Sequence, residues 1–148
     1  MFIEPWSYKH ALRNFYFVLQ RNLFLTEFDS IKIGDFGVSR QIDSTINVST
    51  HQGTFQYMSP EVRAHGEYFF NTDCWSLGCV LYELITLERF HKTHRIETDD
   101  VIQREITNLN TLKLFKTLLS KMLIVERENR AESERLKAIF DENEEIII

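Results

Sequence analysis

The sequence predicts a mainly α-helical domain with one short β-hairpin near its start, and three patterns carry that expectation. Residues 73–86, DCWSLGCVLYELIT, are apolar on nearly every side, as a helix at the centre of a helical domain would be. Leu112, Phe115, Leu118, Leu119, Met122 and Leu123 recur at steps of three and four with Lys113, Lys116 and Lys121 between them, the spacing of an amphipathic helix over 111–124. Residues 22–34, NLFLTEFDSIKIG, instead give an apolar run, a polar turn from Glu27 to Ser30 and an alternation through Ile31 and Ile33, the pattern of a hairpin.

The elements follow one another along the chain in that light. Behind the hairpin comes Asp35-Phe36-Gly37, and from Val38 to Ser59 the composition is rich in Ser, Thr and Gln without helical or strand period. That stretch is expected to be a long loop of the kind that often carries function. The helix of 73–86 has Glu83 as its one internal charge. After the amphipathic helix, Leu136, Ile139 and Phe140 extend the same periodicity into a last short helix, and residues 141–148, DENEEIII, form an acidic and then apolar tail expected to fray.

At 148 residues with 43% hydrophobic and 26% charged, the chain is long enough for one domain with a core of its own. With a net charge of -5, a nucleic-acid role driven by bulk positive charge loses most of its electrostatic basis. The two cysteines, Cys74 and Cys79, stand in an apolar stretch without partners at zinc spacing, so neither a disulfide framework nor a structural metal site is expected. The start, MFIEPWSYKH, lacks the basic and then apolar pattern of a secretory leader, and no run of about 18 uncharged apolar residues is present. The expectation is a chain inside the cell, cytoplasmic or nuclear, with no membrane and no nucleic-acid partner.

Three segments in order, IKIGDFGVSR at 31–40, GTFQYMSPEV at 53–62 and DCWSLGCVLYEL at 73–84, resemble the C-terminal lobe of a eukaryotic protein kinase. Asp35-Phe36-Gly37 follows a hairpin, stands 24 positions before Ser59-Pro60-Glu61, and is followed by the D-x-W-S-x-G helix signature. The serine/threonine branch fits better than the tyrosine branch, because Thr54 in GTFQYMSPE falls where the former places a threonine near the acceptor hydroxyl; a NIMA-related kinase is the narrower resemblance. The similarity divides the chain into a divergent segment 1–21, a partial kinase domain 22–140 with an activation segment 35–61, and the tail 141–148. It implies ATP and Mg²⁺ as cofactors and a protein as substrate or partner.

The resemblance implies roles residue by residue. Asp35 would hold Mg²⁺ between the terminal phosphates, and Asn22, 13 residues earlier, would ligate a second Mg²⁺, both as oxygen ligands of a hard cation. On the residues alone, Asp35 also fits an ordinary turn aspartate and Asn22 a loop residue capping its own backbone. Phe36 would report the state of the loop and Gly37 would free its backbone. Phe24, Val80 and Leu84 resemble the apolar column beneath an adenine ring, which a plain core would also explain. Glu61 and Arg130 resemble a buried ion pair joining the end of the activation segment to the last helices, and are therefore expected to meet in space. Asp73 resembles the helix residue that braces the catalytic loop. Ser44, Thr45, Ser49 and Thr50 stand where activating phosphorylation occurs, or are solvated loop hydroxyls, with Arg40 the nearby cation.

The departures from the family pattern bear on activity. Counting back from Asn22, the His-Arg-Asp-x-Lys-Pro-x-Asn motif would fall on residues 15–22, so Tyr16, Phe17 and Leu19 occupy its arginine, catalytic-base and lysine positions. A phenyl ring accepts no proton and a leucine neutralises no phosphate charge. The 148 residues contain no G-x-G-x-x-G loop and no strand lysine of the V-A-I-K type, so the N-terminal lobe is read as absent. No residue of this chain is therefore assigned as catalytic, and weak or no ATP binding is expected. Two readings stand side by side: a serine/threonine kinase by descent, truncated and inactive as this chain alone, and a non-catalytic, pseudokinase-like binding or regulatory module, with a non-functional fragment behind both.

Overall fold

The structure is a computed structural model that describes residues 23–25, 31–33, 55–90 and 98–143. Near the start, β1 (Leu23–Leu25) pairs antiparallel with β2 (Ile31–Ile33) in the register Leu23 to Ile33, Phe24 to Lys32 and Leu25 to Ile31. This is the hairpin that the apolar run and the Ile31/Ile33 alternation predict.

The rest of the described chain is helical: α1 (Pro60–His65), α2 (Thr72–Thr86), α3 (Asp99–Asn108), α4 (Lys113–Met122) and α5 (Ser133–Asp141), with one-turn 3₁₀ segments at Phe55–Tyr57 and Arg127–Asn129. Three of the starts have a chemical reason. Pro60 opens α1 with its φ already set and with no N–H to leave unpaired, and Gly66 closes it in the left-handed conformation at φ 69°. Asp73 in the first turn of α2, and Asp99 with Asp100 in that of α3, set negative charge against the positive end of the helix dipole. The end of α2 is less ordinary, because Leu87 takes φ 59° with no glycine there, its N–H bonded to the Glu83 carbonyl at 2.8 Å.

The core lies on both sides of α2 and α4. On one side Trp75, Cys79, Val80 and Tyr82 of α2 pack with Tyr57, Phe90, Ile102 and Ile106, closed by Leu119 and Leu123. Phe90 stands edge-on to both Trp75 and Tyr82, with centroids 6.0 and 5.1 Å away. On the other side Cys74 meets Leu114, Leu118 and Met122 of α4 and Leu136 and Ile139 of α5. α2 and the end of α4 approach so closely at Gly78 that a Cβ there would sit 2.9 Å from Leu123 Cδ2 and 3.0 Å from Met122 Cβ. A methyl at this position would force Leu123 and Met122 to shift.

Four expectations need correction. The 73–86 helix is not buried all round: Leu77 and Leu84 are 41% and 60% exposed, a stripe that its neighbours among the described residues leave open while they pack against Trp75, Cys79, Val80 and Tyr82 on one side and Cys74 on the other. In the amphipathic helix, Leu112 is exposed and precedes the first turn, while Leu114, not among the residues named for that helix although it stands four positions before Leu118, is buried against α5. Phe140 of the last helix is 40% exposed for the same geometric reason, since Leu136 and Ile139 take the inward face. Finally, the stretch 38–59 is not wholly irregular, because Phe55–Tyr57 forms a 3₁₀ turn whose Tyr57 enters the core. The helix at Asp99–Asn108 is an addition; Ile102 and Ile106, one turn apart and both buried, carry the signal for it.

Candidate functional site

The sequence Ser59-Pro60-Glu61 turns the chain sharply into α1 and sets Glu61 in its first turn, where a carboxylate is favoured by the helix dipole. From there the side chain reaches across 69 positions to Arg130, which follows the 3₁₀ turn at Arg127–Asn129. Arg130 Nη1 donates to Glu61 Oε1 at 2.7 Å and Nη2 to Oε2 at 2.9 Å, the two-pronged arrangement that suits a planar guanidinium. The arginine side chain is fully buried and that of Glu61 is 9% exposed.

A buried guanidinium needs partners for all its protons. Nε donates to the Ile124 carbonyl at 2.9 Å, and longer contacts run from Nη1 to the Asn71 carbonyl at 3.4 Å and from Nη2 to the Val125 carbonyl at 3.5 Å. The cation also stands 5.1 Å from the centre of the Trp75 ring. Glu61 is satisfied in turn, accepting from the Thr72 hydroxyl at 3.0 Å. Burial pushes the Glu61 carboxyl up, but the hydrogen bonds and charge of Arg130 outweigh it and hold its pKa below the usual carboxylate range.

Asn71, just before α2, completes the knot: its Nδ2 donates to the Arg127 carbonyl at 2.8 Å and to that of Arg130 at 3.1 Å. Arg127 lies over the Phe69 ring at 3.7 Å. The start of α1, the start of α2 and the turn before α5 are thus joined at one point.

A second cross-link fixes the 3₁₀ turn ahead of α1. The Tyr57 hydroxyl donates to Glu83 Oε2 at 2.7 Å, Ser76 Oγ donates to the Tyr57 carbonyl at 2.8 Å, and Arg89 reaches both Gln56 Oε1 at 3.0 Å and Glu83 Oε1 at 3.7 Å. Burial, then the bond to Glu83 and its charge, push the Tyr57 hydroxyl up to about 12. Residues 56–61 are therefore held at one end onto α2 and at the other onto the turn before α5, which makes them a ledge at the start of the described helical part. The cysteines take no part: both are free and buried, and burial pushes each thiol up to about 12.

Of the residues singled out from sequence, Glu61 and Arg130 are brought together, and Asp73 stands half-buried in the first turn of α2. Val80 is buried in the core and Leu84 is 60% exposed. Phe24 belongs to β1. Phe17, Asn22, Asp35, Phe36, Gly37, Arg40, Ser44, Thr45, Ser49, Thr50 and Thr54 lie outside the described residues. Sequence reasoning passed over Asn71, Thr72, Tyr57 and Arg89, and noted Glu83 only as the one internal charge of its helix. Nothing in the spacing of Asn71 signals carbonyl partners 56 and 59 positions away.

A central helix bearing D-x-W-S-x-G, with the buried pair joining Ser-Pro-Glu to the turn before the last helix, defines the helical lobe of a protein kinase. The family model for the protein kinase domain matches residues 18–140. The chain belongs to that family, and its similarities make it a NIMA-like member of the serine/threonine branch. It is 49% identical over 102 residues to the G2-specific protein kinase nim-1 of Neurospora crassa, covering 66% of this chain and 12% of that protein. To the serine/threonine-protein kinase Nek9 of Xenopus laevis it is 48% identical over 69 residues, 46% of this chain and 7% of the relative. The serine/threonine-protein kinase Nek3 of Oryza sativa subsp. japonica is matched at 33% over 119 residues, 78% of this chain and 20% of the relative. The chain thus spans a fifth or less of the length of these relatives.

Proposed function

We propose that this chain is the substrate-side half of a NIMA-like serine/threonine kinase and that the 148 residues do not transfer phosphate by themselves. The observation that carries the first half is the buried Glu61–Arg130 pair, which anchors the end of the 35–61 segment as a platform beside which a protein substrate would lie. The second half rests on the sequence: the family's base position is Phe17 and its lysine position Leu19, and neither side chain can take a proton or balance phosphate charge. ATP and Mg²⁺ are the cofactors the family uses. In this chain Asp35 and Asn22 carry oxygen donors of the kind that Mg²⁺ prefers, and they are the residues that would hold it.

No lysine or glycine-rich loop in the 148 residues would close over a triphosphate, so nucleotide affinity is expected to be millimolar or weaker, about 4 kcal/mol at best. The decisive experiment incubates the purified chain with labelled ATP, Mg²⁺ and a general protein substrate, beside an Asp35→Ala variant. Incorporation at background in both supports the proposal. Incorporation that exceeds background and vanishes in the variant overturns it. A non-catalytic role in binding a protein is the second reading, and it draws on the same pre-formed ledge at residues 56–61.

A further inference from the structure

We draw no further inference here: the strongest candidate, the exposed leucine stripe of α2 formed by Leu77 and Leu84 with Leu87 at its end, is an apolar surface patch, and nothing in the structure shows what covers it.

Discussion

Replacing Arg130 by methionine keeps much of the side chain's length and removes its charge, which isolates the effect of the pair on the fold. The consequences follow from the contacts. Glu61 would keep its carboxylate in a site where it is 9% exposed and lose both strong donors, while the Ile124 carbonyl would lose its 2.9 Å partner. Breaking one side of a buried pair in this way costs about 3–5 kcal/mol. With a urea slope of about 2 kcal/mol per M, the midpoint should fall by roughly 1.5–2.5 M. Glu61→Gln should cost less than Arg130→Met, because the amide oxygen still accepts one bond from the guanidinium. The double variant should lose less than the two singles summed, by at least about 1 kcal/mol. Urea unfolding followed by circular dichroism measures all four proteins. The reasoning fails if Arg130→Met costs less than about 1 kcal/mol, or if the single losses add to within about 0.5 kcal/mol.

Three further outcomes are expected. Because Glu61 has its pKa lowered in the fold, its contribution is fully present above the ordinary carboxylate value of 4.5 and is lost as the pH falls below it; a pH series of unfolding midpoints should show a steeper acid loss for the parent than for Glu61→Gln, and parallel curves would contradict this. Gly78→Ala should destabilise despite about 1 kcal/mol of better helix propensity, since the new methyl meets Leu123 Cδ2 at 2.9 Å and overpacking costs about 1–3 kcal/mol; a raised thermal midpoint would mean that α2 and α4 separate freely. Leu87→Gly should stabilise by up to about 1 kcal/mol, because Leu87 is 88% exposed and holds φ 59° against its Cβ, and calorimetry showing a clear loss would assign the leucine a packing role.

The family, the helical class and the meeting of Glu61 with Arg130 could be read from the chain because each depends on local pattern or on motifs in fixed order. The 3.6-residue period at Leu118, Leu119 and Met122 and the two-residue period at Ile31 and Ile33 arise from backbone geometry, which acts over one or two turns and leaves its mark in sequence. What periodicity could not decide is which of several apolar faces a neighbour covers. Val80 and Leu84 are one turn apart on the same helix, yet one is 1% and the other 60% exposed, because the partners of α2 that bury Val80 do not extend over Leu84. The same holds for the polar knot. Nothing around Asn71 in the sequence marks its partners, and only the fold brings the Arg127 and Arg130 carbonyls within 2.8 and 3.1 Å of its amide. Hydrogen bonds between groups more than fifty positions apart have no period; they exist because α1, α2 and the turn before α5 converge on the buried guanidinium of Arg130, whose donors must find acceptors wherever the packing supplies them.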